Sequence, residues 1–184
     1  MNKVALVIIG LVVLVAGWMV THYNGFAAQN NAIDGQWQQV EVQYQRRFDL
    51  VPNLVESVKG LMTQEQKVFG DIAEARTRYS GAASINEKAA AASLLESVIG
   101  RLLVIMENYP QLKSDAAVTR LMDELAGTEN RIAVERRRYN ELVQGYNTSL
   151  SVIPGNLLAR LFGFARRTYF EAAEGSEAAP KVTF

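Results

Sequence analysis

The residues best suited to chemistry in this chain are carboxylates. Asp123, Glu124, Glu129 and Glu135 fall in one stretch, and Glu56 and Glu65 in another. Paired carboxylates on facing helices serve as general acid and base when their surroundings drive their pKa values apart. On long helices the same residues ordinarily form solvated faces and spaced ion pairs. Glu135 is the exception, because it falls on an apolar stripe between Ile132 and Tyr139. A carboxylate there needs a partner, and Arg131 and Arg138 stand on adjoining positions.

Other constellations fail on inventory. The single histidine, His22, has only Tyr23 and Asn24 beside it, and there is no cysteine. That excludes an HExxH helix, a Ser-His-Asp triad, thiol catalysis and thiolate-bound zinc. No Glu-x-x-His pair and no glycine-rich phosphate loop occurs, so neither metal nor cofactor is expected. Arg136, Arg137 and Arg138 fan around a helix rather than forming one phosphate-binding face. With 19 basic and 19 acidic residues, no net field points to nucleic acid.

The elements that carry these residues are helices. Val4 to Val20 is an uncharged run of seventeen residues, about 25 Å long as a helix. With Trp18 and Tyr23 at the interface it reads as a transmembrane anchor. The competing reading is a signal peptide cleaved after Ala27, but that site lies seven residues beyond the run. Lys3 precedes the span and no Lys or Arg follows before Arg46, which places the N-terminus in the cytoplasm and the bundle on the non-cytoplasmic side.

From Trp37, apolar residues recur every three or four positions through Val40, Tyr44, Phe48, Val51, Val55, Val58 and Met62, and again at Phe69, Ile72 and Tyr79. Ser80-Gly81 ends that element. Asn86 is the expected cap of the next, whose face runs from Leu95 to Tyr109 until Pro110 stops it. Ser114 or Asp115 caps the longest stretch. Its heptad seam runs through Val118, Leu121, Leu125, Thr128, Ile132, Glu135, Tyr139, Leu142, Tyr146 and Ser149, closed by Pro154-Gly155. Asn140 and Asn147 follow seam tyrosines and suit a role in fixing helix register.

Pro52 sits where a helix interior is otherwise expected, at a cost of about 3 kcal/mol. The stripe keeps its phase across it, which favours a kink. Length favours a hairpin, because one helix from Asn31 to Tyr79 would outrun the next helix by about a factor of two. Asp49 is also a plausible N-cap for a helix restarting at Pro52. We expect a turn or break there, which gives four legs and brings the C-terminal segment back towards the membrane. That segment, PGNLLARLFGFARRTYF, sets Leu157, Leu158, Leu161, Phe162 and Phe164 beside Arg160, Arg166 and Arg167. It suits either an interfacial segment or a plug on the open end of the bundle. The final stretch, AAEGSEAAPKVTF, lacks periodicity and reads as a mobile tail.

Tyr23-Asn24, Trp37, QRRFDLVPNLVESVKG, ENYPQLKSD, ELAGTENRIAVERRRYN, YNTSLSVIPGNLLARLFGF, YFEA and the terminal PKVTF together resemble the bacterial LemA family, in order and over essentially the whole chain. Two places depart from that pattern. The family tends to have a small residue where Glu135 stands, and Gly25-Phe26-Ala27 replaces a longer aliphatic and basic run. The resemblance implies a membrane-anchored helical bundle of bacteria with no established enzymatic activity. It also implies other membrane proteins, including TPM-domain proteins, as partners.

We therefore expect an all-α fold: an N-terminal transmembrane helix followed by an elongated antiparallel bundle of three or four long helices, four if Pro52 breaks the first. The expected segments are an anchor over 1–27, a bundle over 28–153 and a C-terminal apolar and basic segment over 154–184. The expected function is a non-enzymatic, single-pass scaffold of the bacterial inner membrane that forms a homo-oligomer or binds protein partners. Its candidate contacts are Arg46, Arg47, Pro52, Asn53, Glu135, Leu157, Leu161, Phe162 and Phe164. The alternatives are a sensor or carrier holding a small ligand between helices near Trp37, Tyr44, Tyr139 or Tyr146, and a carboxylate-based hydrolase built on Glu135.

Overall fold

The computed structural model describes residues 2–60, 62 and 65–170, so the terminal tail expected to be mobile lies outside the described residues. The described residues are helical or in connecting turns, with no strand among them. Six helices follow in order: α1 Lys3–Lys59, α2 Gln66–Gly81, α3 Ile85–Met106, α4 Pro110–Lys113, α5 Ala116–Ser149 and α6 Gly155–Phe162.

Pro52 does not break the chain. It lies inside α1, a helix of 57 residues. Phase prevails because Phe48, Val51, Leu54 and Val58 are all buried, on both sides of the proline. Asp49 is not a cap either; its carboxylate accepts from Gln45 one turn earlier, at 2.9 Å. The length objection is met further on. The helix ends at Lys59, and Met62 makes the turn, its N–H donating to Val58 and its carbonyl accepting from Glu65. The residues after it form the separate helix α2, so no single leg runs to Tyr79. The first long helix does end, but at Lys59, with the break at Gly60 eight residues beyond the expected place.

The residues divide into two units. Unit 2 comprises 40–134 with Phe170. In it α2 and α3 form an antiparallel hairpin across the short turn at 82–84. Ser84 rather than Asn86 caps α3: its hydroxyl accepts from the Glu87 N–H at 3.2 Å, while the Glu87 carboxylate takes the N–H groups of Ala83 and Ser84. This reciprocal box outcompetes Asn86 because it satisfies orphan donors from both sides of the helix start. Those contacts, the Ala83 N–H first, hold the Glu87 carboxyl below its ordinary value. Helix α3 ends at Met106, and Pro110 opens the one-turn α4 instead of stopping α3. Asp115 caps α5, accepting from Ala117 and Val118 at 2.8 and 3.2 Å.

The interior of unit 2 is apolar along each helix stripe, with Leu54, Ile72, Leu95, Leu102 and Leu125 buried. Thr128, on the seam, is satisfied within its own helix by donating to the Leu125 carbonyl at 2.7 Å. Tyr79 packs against Tyr44 and Phe48 with ring centroids 5.8 and 4.4 Å away. Burial, then the charge of Glu41 and the neighbouring Tyr44, push its phenol well above the usual range. Its oxygen has no hydrogen-bond partner among the described residues.

Unit 1 comprises 2–39 and 135–169. Here α1 and α5 run antiparallel: Gln29 meets Ser149, and Gln36 meets Glu135. The heptad seam of α5 drifts at this end, since Val143 and Leu150 are buried where Leu142 and Ser149 were expected. An α-helix has 3.6 residues per turn, so a straight helix slips off a 3.5-residue repeat over several heptads.

Candidate functional site

Glu135 is half-buried, and its charge is already engaged. One carboxylate oxygen accepts from Gln36 Nε2 at 2.6 Å, the other from Arg138 at 2.9 Å. Gln36 also donates to the Glu135 carbonyl at 3.2 Å. Of the two arginines expected as partners Arg138 is the one used, while Arg131 is exposed. Gln36 was not foreseen, because a glutamine beside Trp37 on an exposed-looking stretch carries no sequence signal. His22 meets Trp18 edge to face at 4.5 Å and lies near the Phe26 ring at 6.3 Å, in an aromatic setting. Among the described residues, no three His, Cys, Asp or Glu side chains gather as a metal site.

The neighbours Arg46 and Arg47 part company. Arg47 is buried in unit 2, 3.9 Å from the Glu129 carboxylate of α5. Arg46 is exposed and, with Val42, Gln45, Asp49, Leu50 and Asn53, lines a shallow groove on the outer face of α1. Pro52 points the other way. With Phe48, Val51, Val55, Phe69 and Leu95 it lines an apolar cavity of about 180 Å³, which Arg76 borders.

The aromatic residues expected to surround a ligand are used in packing. Trp37 and Tyr139 meet edge to face at 5.9 Å in unit 1, and Tyr44 meets Tyr79 at 5.8 Å in unit 2. Tyr146 is buried as well. Burial raises the phenol pKa of both Tyr139 and Tyr146.

The most distinctive arrangement lies in unit 1, where the chain leaves the apolar run. Residues Val4 to Val20 expose nearly all their apolar side chains, and this part of α1 is long and apolar enough to cross a membrane. Just beyond it, Tyr23 meets the rings of Phe162 and Phe164 at 5.2 and 5.4 Å, and Phe26 meets Phe164 at 5.4 Å. Gly155 makes this approach possible. A Cβ there would stand 2.1 Å from the Ser149 carbonyl oxygen, so no larger residue fits without moving backbone. The peptide bond before Pro154 is cis. Gly163 ends α6 at a positive φ of 75°, which glycine adopts without a steric penalty.

From Gly163 an irregular strap runs along α1 and α5. Arg166 donates to Ser151 Oγ at 2.8 Å, Arg167 pairs with Asp34, and Tyr139 donates to the Thr168 carbonyl at 3.4 Å. The Asn147 side chain holds the Arg167 backbone at two points: its amide donates to the carbonyl at 2.8 Å and its oxygen accepts from the N–H at 2.9 Å. Phe162 and Phe164 are thus half-buried, whereas Leu157 and Leu161 stay exposed.

Comparison with known proteins fits this architecture. The chain is 26% identical over 195 aligned positions to magnetosome protein MamQ 2 of Paramagnetospirillum magneticum, covering 91% of this chain and 72% of that protein. It is 25% identical over 178 positions to magnetosome protein MamQ of Magnetospirillum gryphiswaldense, covering 83% and 65% respectively. Residues 36–184 match the LemA family, so the sequence resemblance and the all-helical fold agree: this membrane-associated chain belongs to the LemA family.

Proposed function

We propose that this protein is a non-catalytic, single-pass scaffold of the bacterial inner membrane, with its helical part on the non-cytoplasmic side, which self-associates through the outer face of α1 in unit 2. The observation that carries this is the groove of Val42, Gln45, Arg46, Asp49, Leu50 and Asn53. Its apolar residues are bordered by one cation and one anion a turn apart. A two-fold interface brings the same patch to itself, so Arg46 of one copy faces Asp49 of the other when the helices cross antiparallel. Self-complementarity favours a second copy over the TPM-domain partners that family resemblance implies. Glu135 supports the non-catalytic reading, since Arg138 already pairs with its charge and Gln36 orients its other oxygen. The ligand-carrier reading is weaker because Trp37, Tyr44, Tyr139 and Tyr146, the residues expected around a ligand, are buried in packing.

The test is light scattering on the full chain in detergent. Wild type should be a dimer or larger at micromolar concentration, and a monomer would sink the proposal. Arg46→Asp alone should weaken association by about tenfold, equivalent to about 1.4 kcal/mol. Arg46→Asp with Asp49→Arg should restore it.

A further inference from the structure

The exposed apolar surface beyond the membrane run is uneven. Its densest cluster is a single short segment, where Val152, Ile153, Leu157 and Leu161 are between 52% and 81% exposed. Leu158 and Ala159, on the inner side of the same helix, are buried. Helix α6 therefore has two apolar faces, one packed and one bare. Arg160, also exposed, stands beside Leu157 and Leu161 on the bare side.

Position along α1 says what covers that face. Phe162 and Phe164 seat α6 against Tyr23, three residues past the end of the uncharged run, and Phe164 also touches Phe26. At about 1.5 Å per residue these contacts lie roughly 5–9 Å beyond the run. The headgroup layer on each side of a bilayer is about 5–8 Å deep, so α6 stands at the level of that layer. The run itself is about 25 Å long against a hydrocarbon core of about 30 Å. A short span draws its flanking turn inward or thins the bilayer, and either response presses the surroundings of Tyr23 towards the acyl boundary.

We propose that the segment from Val152 through α6 is a second membrane contact: Val152 and Ile153 in the turn before α6, with Leu157 and Leu161 on its bare face, lie in the headgroup layer beside the anchor, with Arg160 on anionic lipid phosphates. The bilayer, not a second protein, is the occupant. This rests on the membrane-anchor part of the proposed function and is independent of the self-association. Such a segment matches the apolar-and-basic pattern of interfacial helices, with the difference that its depth is set by a covalent anchor rather than by its own affinity. Two points of attachment fix the tilt and rotation of unit 1 against the membrane plane, where a single helix leaves both free.

Because the chain has no cysteine, single labels report cleanly. The full chain is reconstituted in phosphatidylcholine–phosphatidylglycerol vesicles with an environment-sensitive fluorophore at one of four positions: Leu157→Cys, Leu161→Cys, Val12→Cys within the run, or Glu141→Cys on the exposed face of α5. Quenching by nitroxide lipids and by aqueous iodide is measured for each. Labels at 157 and 161 should be quenched several-fold more by the lipid quencher than the label at 141, and be shielded from iodide. Arg160→Glu should lessen the lipid quenching at 157 in these vesicles but not in phosphatidylcholine alone. Iodide access at 157 and 161 equal to that at 141 would overturn the proposal. So would shielding from iodide without lipid quenching, because a protein surface would then be the cover. The label at 12 separates the two failures: if it too escapes lipid quenching, the anchor reading itself falls.

Discussion

In unit 2, helices meet along continuous apolar stripes, and most polar contacts sit at the edges: Lys88 with Glu41 and Arg101 with Asp71 at 3.1 Å, with Arg47 buried beside Glu129. In unit 1, two helices are joined by a short helix and an irregular strap, and the contacts are particular ones: a glycine with no room for a Cβ, a positive-φ glycine, stacked rings, an asparagine clasping a peptide. The first kind of packing is redundant, since many similar side chains share the load. The second depends on single residues that have no substitute.

That contrast is breakable by paired substitutions. Leu102 is fully buried in α3, and Leu102→Ala should cost about 3 kcal/mol. Gly155→Ala should cost unit 1 about 2–3 kcal/mol, unusually large for adding one methyl group. Both tryptophans, Trp18 and Trp37, lie in unit 1, so their fluorescence reports it alone while far-ultraviolet circular dichroism reports all helices. Leu102→Ala should lower the dichroism midpoint ahead of the fluorescence midpoint, and Gly155→Ala should reverse the order. Coincident shifts in both variants would merge the units into one cooperative block.

A smaller effect sharpens the edge of unit 2. Ser84→Ala should cost about 1 kcal/mol in urea unfolding. Glu87 has a folded pKa below its ordinary value near 4.5, so its contribution is present above that value and lost as pH falls through the lower folded one. Glu87→Gln, which removes the titrating carboxyl held by the Ala83 and Ser84 N–H groups, should flatten this acid limb; an unchanged limb would mean the box does not form in solution.

The smallest effect has the opposite sign. Tyr79→Phe removes a buried oxygen without a partner and should stabilise unit 2 by up to about 1 kcal/mol. The raised phenol pKa adds a further cost only at alkaline pH, where the unfolded chain ionises at Tyr79 and the folded one does not. That cost is absent below a pH of about 10 and grows as pH rises towards the folded value. Urea midpoints at neutral and alkaline pH should therefore show less alkaline loss in Tyr79→Phe. Tyr139 and Tyr146 should leave a residual loss in unit 1, and equal alkaline loss in wild type and variant would refute the assignment.

The sequence was legible where one period governs. The stripe of α1 as far as Val58, the first parts of those of α3 and α5 and the end of α2 at Gly81 are where spacing puts them; later the α3 stripe passes to Met106 and that of α5 to Val143 and Leu150. Pro52 misled because helix-breaking cost was weighed against a leg length that assumed no break near Gly60, where the apolar residue Met62 looks like one more step of the stripe. Asn86 misled because Ser84 with Glu87 forms the stronger cap two residues earlier. Of the candidate contacts, Arg46 and Asn53 face outward and Arg47 and Pro52 inward, a distinction of one residue on a helix that composition alone does not draw. The strap has no period at all. Its course follows from hydrogen bonds between residues twenty or more positions apart, which only the folded chain displays.

Asn147 was read as a register-setting residue of a helix seam, and it does something narrower. Its planar amide offers Arg167 one donor and one acceptor, as a neighbouring strand's backbone would, so a helix holds a lone extended peptide as if by one rung of a sheet. Aspartate has no donor, serine has too short a reach to meet both groups, and glutamine overshoots by a methylene. Asparagine is the shortest side chain that carries both a donor and an acceptor in one rigid plane, which is what that rung asks for.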